Sequence, residues 1–126
     1  PSGQTETEYV SASLTKIRRF AMLYGVHVWL VAHPTKLQKA QKGSKYEGQY
    51  PPPTPYDISG SSHFRNKADN CLTVWRDVDA NDNHVTLFVQ KVRFLSVGKP
   101  GEAQFIYEPG CGRFREPRLE DQAWST

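Results

Sequence analysis

The sequence predicts an α/β fold, and three patterns along its 126 residues carry that prediction. A capping motif followed by apolar residues at helical spacing opens the chain. An apolar, β-branched segment without alternation comes next, and the second half alternates strand-like runs with polar turns. A helix followed at once by a strand that is covered on both faces is typical of a parallel sheet. The hairpin-like second half indicates that the rest of the sheet is antiparallel.

The first element is a helix from about Glu6 to Tyr24. Thr5 and Glu8 have the spacing of a capping box, in which each side chain binds the backbone N–H of the other residue. Gly25 is suited to the left-handed conformation that commonly ends a helix. Apolar residues recur between these ends at helical spacing, namely Val10, Leu14, Ile17 and Ala21.

The second element is the segment Val26–Ala32, which we interpret as a buried parallel strand. It is short, β-branched and apolar on both faces, so His27 within it is expected to be a hydrogen-bonded core histidine. One helix and one buried parallel strand have too few neighbours in this chain. The pattern therefore indicates half of a sheet rather than a complete doubly wound domain.

The later elements are short and separated by polar turns. Residues 62–69 are expected to form a short helix, and the chain from Arg115 to Thr126 is expected to be a frayed polar tail. The strands are predicted at residues 71–75, 84–94 and 103–107, with turns at 77–83 and 98–101.

Composition excludes several classes of protein. The mean hydropathy is −0.65, and no apolar run approaches the roughly eighteen residues of a membrane span. Cys71 and Cys111 are too few for a disulfide framework or a zinc site, and as free thiols they suit a cytoplasmic protein. No metal site is predicted, and the sequence has no phosphate-loop, dinucleotide-binding or HExxH motif.

Positive charge is concentrated between His33 and Lys67. This stretch has six cations and two acids, a balance of +4, whereas the whole chain is +3. Lysines at every third position, followed by a proline-rich segment, predict a long mobile loop. A solvated disordered insertion and a functional loop are equally supported by this pattern. The cations are Lys36, Lys39, Lys42, Lys45, Arg65 and Lys67.

Two positions could carry chemistry on local pattern alone. His33 follows the carboxyl end of the predicted strand, where α/β folds contact ligands, although a surface histidine before a proline explains it equally well. Lys91 and Arg93 are two residues apart on a strand and therefore share a face. Two cations on one face suit a shared anion such as a transferring phosphoryl group. By position alone, the charged outer face of an edge strand is the favoured interpretation of this pair.

Three motifs, in order, resemble one family. His33-Pro34-Thr35-Lys36 comes after the apolar segment, the block from Tyr56 to Asn70 leads into Val74-Trp75-Arg76-Asp77, and Lys91-Val92-Arg93 precedes Gly98-Lys99-Pro100-Gly101. From about Glu8 to Phe114 the chain resembles the C-terminal part of the RecA-like motor domain of hexameric replicative helicases. It is most similar to the Twinkle-like branch, the primase-helicases of phage, mitochondria and related bacterial elements.

The resemblance implies a role for each motif. His33 would sense the γ-phosphate, Asn66 would face nucleotide and DNA, and Lys91 and Arg93 would enter the neighbouring subunit's ATP site with Arg93 as the arginine finger. Arg76 and Tyr107 would sandwich the nucleotide base, a stacking and cation–π role. The residues implied to contact DNA are Lys36, Lys39, Lys42, Lys45, Gly60, Ser61 and Arg65.

The resemblance also implies the activity of a longer protein. That protein would be a hydrolase acting in DNA replication, namely a helicase that depends on ATP and Mg²⁺. It would move 5′ to 3′ on single-stranded DNA as a ring of six or seven subunits. A primase domain could lie upstream. Residues 1–114 would form part of its motor and 115–126 a polar tail. The family's phosphate-binding loop and acidic strand should lie before Pro1, so this chain alone is expected to be inactive and to hold no Mg²⁺ ligand. A non-enzymatic single-stranded DNA-binding module without a nucleotide site, and a purely structural assembly surface, are the alternatives.

Overall fold

The computed structural model describes residues 3, 5–35, 37–58, 62–76 and 82–124. The predicted DNA contacts Lys36, Gly60 and Ser61, and residues 77–81 of the predicted turn, lie outside this part of the chain. The helices are α1 (Glu6–Tyr24) and α2 (His63–Lys67), with 3-10 turns at Pro55–Asp57 and Leu119–Trp124. The strands are β1 (Asn70–Trp75), β2 (His84–Val92), β3 (Gly101–Glu108) and β4 (Arg113–Arg115).

Helix α1 has the bounds and the capping that the sequence predicts. The Glu8 N–H donates to Thr5 Oγ1 at 3.2 Å, and the Thr5 N–H donates to Glu8 Oε2 at 2.9 Å. Gly25 ends the helix with φ 61° and ψ 36°, a left-handed conformation that costs a residue without a Cβ little. The predicted helix is confirmed. The sequence could predict it because every signal for this helix is local.

The second half of the chain is an antiparallel sheet in which each strand pairs with the next along the chain, in the order β1-β2-β3-β4. This confirms the predicted hairpins, and buried Cys71, Val85 and Ile106 form the small core of the sheet. The β1–β2 register shifts within the pair. Cys71 lies opposite Lys91 but Leu72 lies opposite Val89, so Gln90 is the extra residue of a β-bulge.

The predicted buried strand over Val26–Ala32 is absent as a strand. Among the described residues this segment has no regular secondary structure, lacks ladder partners and is exposed, with 72% of Trp29 and 84% of Val31 accessible. The exposed ring of His27 lies 4.9 Å from that of Trp29, so His27 is not a core histidine here. A parallel strand needs hydrogen-bonded neighbours and helices on both faces. The described residues provide neither, so the fold is a mixed helix and antiparallel sheet without a parallel core.

The described part of the C-terminal segment contains the end of β4 and the 3-10 turn Leu119–Trp124, where the sequence suggested a frayed tail from Arg115 to Thr126. Arg115 lies on β4 and pairs through Nε with Glu108 at 2.7 Å and through Nη1 with Asp121 at 2.7 Å. The Arg118 N–H also donates to Asp121 Oδ2 at 2.7 Å. These contacts fasten the last 3-10 turn to the sheet. Among the described helices, no helix combines the length and apolarity needed to cross a membrane.

The carboxylate of Asp121 should control the attachment of the C-terminal segment. Hydrogen bonds from Arg115 and from the Arg118 N–H lower the pKa of Asp121 from 3.8 to about 2. Because the pKa of Asp121 is lower in the folded state, its contribution to stability is complete above the pKa of the unfolded state. It is lost as pH falls through about 2. Carboxyl-carbon NMR of Asp121 should follow this titration.

The matched variants for this test are Asp121→Asn and Glu120→Gln. Asp121→Asn should release residues 119–124 at neutral pH, seen as faster amide hydrogen exchange there. Glu120 makes only a 3.7 Å contact between exposed side chains with Arg118, so Glu120→Gln should leave exchange unchanged. Equal exchange in the two variants would contradict the role of Asp121.

Candidate functional site

The predicted cation pair lies at the end of β2, against the C-terminal end of α2. Lys91 Nζ donates to the carbonyl oxygens of Arg65 at 2.7 Å and Asn66 at 3.2 Å. Arg93 Nη2 donates to the carbonyls of Asn66 at 2.9 Å and Ala68 at 3.3 Å. Carbonyls at the end of a helix have no partner inside it, so the two cations satisfy orphan acceptors. The structure thus brings Lys91, Arg93, Asn66 and Arg65 together.

Asp69 is a member of this cluster that the sequence analysis did not single out. Its carbonyl accepts the Arg93 N–H at 2.8 Å, and its Oδ1 lies 3.0 Å from Arg93 Nε and 3.6 Å from Arg18 Nη2. The buried Arg93 Nε makes no hydrogen bond, so the 3.0 Å contact is an ion pair. Arg18 comes from α1, and Asp69 therefore links the two helices to the end of β2. Its position inside the Ala68-Asp69-Asn70 block was the available signal.

The electrostatics of the cluster follow from partial burial and from like charge. Burial, and next the charge of Arg93, lower the pKa of Lys91. Burial also raises the pKa of the Cys71 thiol, which lies opposite Lys91 on β1. A cation held near a second cation is favourably placed for an anion that neutralises both. The geometry therefore suits a multivalent anion presented at this end of the sheet.

Asn66 also faces an open cleft between α1 and α2. The volume of the cleft is about 490 Å³, and its lining includes Arg18, Arg19 and Lys67. Lys67 Nζ donates to Thr15 Oγ1 at 2.7 Å, which fixes α2 against α1. Cationic walls would favour an anion, but the described hydrogen bonds of Asn66 are made by its backbone N–H and carbonyl.

Arg76, which follows β1, and Tyr107, on β3, both lie near the start of β2 at the opposite end of the sheet. Arg76 Nη2 donates to the Asp82 carbonyl at 3.0 Å, and the Tyr107 N–H donates to the neighbouring Asn83 carbonyl at 2.8 Å. The Tyr107 ring is 5.2 Å from that of Phe114 at an interplanar angle of 48°. Two adjacent carbonyls before β2 thus accept from the Arg76 side chain and from the Tyr107 backbone.

The segment that carries Lys39, Lys42 and Lys45, here called the lysine loop, is closed by its own hydrogen bonds. Aromatic rings lie beside two of its lysines. The Ala40 N–H donates to the Gln49 carbonyl at 2.8 Å, and Gly43, at φ 88°, donates to Glu47 Oε2 at 3.0 Å. Lys39 Nζ lies 5.6 Å from the centre of the Tyr50 ring, and Lys45 Nζ 5.3 Å from that of Tyr46. Lys42 is exposed at the tip. Cation–π contact holds two of the lysines near aromatic faces.

His33 lies directly after the segment Val26–Ala32. It is exposed and precedes Pro34, which forms an isolated bridge with Ile58. Thr35 Oγ1 donates to the Asp57 carbonyl at 2.9 Å, which ties this stretch to the 3-10 turn Pro55–Asp57. Arg65, further along, packs its guanidinium 5.6 Å from the Tyr56 ring. No group of His, Cys, Asp and Glu that could hold a metal ion occurs among the described residues.

The fold and these clusters define a mixed α/β chain with cations placed at both ends of an antiparallel sheet. No family model matches the chain. In sequence it is related to a Twinkle-like protein: it is 44% identical over 116 residues to the Twinkle homolog protein, chloroplastic/mitochondrial, of Arabidopsis thaliana. The match covers 90% of this chain but only 15% of that relative. The expected Twinkle-like relationship is confirmed at this level, and the cytoplasmic location stays a prediction.

The contact between Lys91 and α2 should be measurable as stability. Lys91→Met keeps the length of the side chain but removes its donors, leaving two helix-end carbonyls without this partner. The free energy of unfolding of the chain should fall by about 1 kcal/mol in urea denaturation. Lys99→Met, at an exposed turn, is the control and should change it by less than about 0.5 kcal/mol. Equal values for both variants would contradict the contact.

Proposed function

We propose that this chain is part of an ATP-dependent replicative DNA helicase. In the longer protein it would supply the γ-phosphate sensor His33, a DNA-binding loop and a trans-acting arginine finger, Arg93. The proposal joins the sequence relationship to a Twinkle-like protein with the placement of the cation clusters. Because the chain matches a small share of that relative, the activity, the substrates and the ring are all part of the proposal.

The observation that carries the proposal is the distance between two groups of residues that lie at opposite ends of β2. Arg76 and Tyr107 lie at the start of β2, whereas Lys91 and Arg93 lie at its end. At about 3.4 Å per residue, the seven steps from His84 to Lys91 separate the clusters by roughly 24 Å. A single bound nucleoside triphosphate does not span that distance. Base stacking at one end and phosphate clamping at the other therefore suit two nucleotides, one of them on a neighbouring subunit.

Arg93 has the chemistry of an arginine finger. Its guanidinium is held by neutral carbonyls and by Asp69, and these acceptors can be exchanged for the oxygens of a transferring phosphoryl group. A preorganised guanidinium stabilises charge that develops on those oxygens without reorganisation at the moment of reaction. Lys91 would add a second positive charge to the same group. Asn66, whose carbonyl both cations bind, would keep them at the correct spacing.

The lysine loop suits single-stranded DNA. Lys39, Lys42 and Lys45 provide cations for the phosphate backbone, and Tyr46 and Tyr50 lie beside two of them. Phosphate contacts do not depend on base sequence, as a motor that moves along a strand requires. Arg65, with Lys36, Gly60 and Ser61, completes the set of proposed DNA contacts.

The exposed apolar segment Val26–Ala32 fits the same proposal. Its composition is that of a strand covered on both faces, and it ends next to His33. In the longer protein it would pair within a RecA-like parallel core, and burial would remove its exposed side chains from water. That pairing would place His33 at the carboxyl edge of the core, where a phosphate sensor can act.

The phosphates of ATP and its Mg²⁺ would be held by residues outside this chain. Arg76 and Tyr107 would hold the base, and the described residues contain no cluster that could hold the metal. Bound Mg²⁺ would neutralise charge on the β- and γ-phosphates. A ring of six or seven subunits and an upstream primase domain belong to the same proposal, and this chain alone is expected to be inactive.

Arg93→Ala in the full-length protein tests the finger. DNA-stimulated ATP hydrolysis should fall by about 10³–10⁵-fold, whereas nucleotide binding should be retained. Steady-state hydrolysis and equilibrium nucleotide binding are the measurements. The control is Arg113→Ala, since Arg113 is an exposed residue of β4. Because the finger acts on a neighbour, Arg93→Ala subunits mixed into wild-type rings should inhibit more than their fraction. Wild-type turnover by Arg93→Ala would exclude the assignment.

Replacing Lys39, Lys42 and Lys45 together by alanine tests the loop. Each phosphate contact to a single strand contributes about 0.7 to the slope of log affinity against log salt. The triple variant of the full-length protein should therefore lower the slope by about 2. Lys16, Lys99 and Arg113 replaced together are the control and should leave it unchanged. A slope equal to that of wild type would remove these lysines from the interface.

A single-stranded DNA-binding module without a nucleotide site is the second candidate function. It is favoured by the hydrogen bonds from Ala40 to Gln49 and from Gly43 to Glu47, which close the lysine loop without any residue of the two cation clusters. The same salt series on this chain alone separates the two. Tight, steeply salt-dependent binding by the monomer would favour the module, and negligible binding would favour a part of a ring.

A further inference from the structure

Gln90 joins the lysine loop to the strand that carries the cation pair. As the extra residue of the β1–β2 bulge, it uses both ends of its side-chain amide. Its Nε2 donates to the Pro53 carbonyl at 2.8 Å, and its Oε1 accepts from Thr73 Oγ1 at 2.7 Å. The first bond reaches the proline-rich exit of the loop, and the second reaches β1. A bulge re-aims a side chain in this way because it interrupts the ladder at one residue.

A second contact fixes the same loop exit to β1. Trp75 Nε1 donates to the Tyr50 carbonyl at 3.1 Å, and the Trp75 ring meets that of Tyr46 edge-on, with ring centres 5.6 Å apart. Tyr50 and Pro53 are thus each held by one side chain of the sheet. Pro51 and Pro52 lie between them and restrict the backbone, so this exit from the loop is conformationally restricted.

The bulge residue is followed directly by Lys91. Any displacement of Pro53 acts on the Gln90 amide, and the Gln90 backbone is covalently continuous with Lys91, two residues before Arg93. The Gln90 backbone is free of the β1 register, so it can move with less loss of ladder hydrogen bonds than its neighbours. A displacement of the loop exit would therefore cause a small change in the orientation of the Lys91 and Arg93 side chains.

We propose that Gln90 is a positioning residue that couples DNA in the lysine loop to the placement of Lys91 and Arg93. The inference rests on the proposed function, because it needs both a DNA-contacting loop and a trans-acting pair. Gln90 touches neither substrate. Its loss should leave DNA-free hydrolysis and DNA affinity in place and reduce the stimulation that DNA causes.

Gln90→Glu in the full-length protein separates the two amide contacts. A glutamate of the same shape still accepts from Thr73 but donates nothing to Pro53. The ratio of DNA-stimulated to DNA-free ATP hydrolysis should fall about five-fold, the equivalent of one net hydrogen bond. DNA-free hydrolysis and the affinity for single-stranded DNA should stay within about two-fold of wild type. Tryptic cleavage after Lys39, Lys42 and Lys45, mapped by mass spectrometry, should become faster.

Three further variants make the result specific. Gln90→Met is neutral and of similar length, and it should reproduce the effect without a new charge. Thr73→Val removes only the bond to β1 and should keep the stimulation near that of wild type. Gln104→Glu is the matched control, because Gln104 bridges strands by bonding His84 and Thr86 on β2 instead of the loop. It should change neither the stimulation nor the cleavage of the loop.

The outcomes distinguish the two proposals. If the wild-type protein hydrolyses ATP without DNA stimulation, the proposed function fails and the coupling fails with it. If wild type is stimulated and both Gln90 variants keep its ratio, the proposed function stands and the positioning role of Gln90 is overturned. Unchanged cleavage of the loop in both variants would likewise overturn the Gln90–Pro53 contact. A lower ratio with faster cleavage, absent in Gln104→Glu, would support the coupling.

Discussion

The donation from Lys91 and Arg93 to the last carbonyls of α2 joins the two parts of this structure. The helices meet through the bond from Lys67 to Thr15, and the strands are built from consecutive hairpins, but the cation pair connects one set to the other. Helix-end carbonyls need donors, and two cations need acceptors, so each group satisfies the other. Asp69 adds a carboxylate where the chain passes from α2 into β1.

The same arrangement explains how one pair of side chains can serve both structure and chemistry. Carbonyl acceptors hold a guanidinium in place but leave its charge uncompensated, whereas a fully paired carboxylate would neutralise it. The charge of Arg93 is shared with one partly exposed aspartate that also contacts Arg18. An incoming polyanion would therefore meet cations that are already oriented. The requirement for correct aim also makes the bulge at Gln90 important, since it lies directly before the pair.

Much of the fold was predictable because its signals are local. The capping box and Gly25 set the ends of α1, and strand-like runs between polar turns located β2 and β3. The prediction of a buried strand over Val26–Ala32 was wrong for a physical reason. An apolar run indicates that a segment should be buried, but it forms a strand only if neighbouring strands provide hydrogen-bond partners. Strand β4 was missed because it is three residues long and is held by ion pairs of Arg115 with residues elsewhere in the chain.

By itself, the sequence determined the local conformation and the types of functional group that the chain carries. It established the cap of α1, the shared face of Lys91 and Arg93, and the density of lysines in the loop. Only the tertiary structure decided which partners those side chains meet. The carbonyls of α2, Asp69, and the link from Gln90 to Pro53 each join residues separated by more than twenty positions. Such contacts depend on chain reversal and strand register, which spacing along a sequence does not encode.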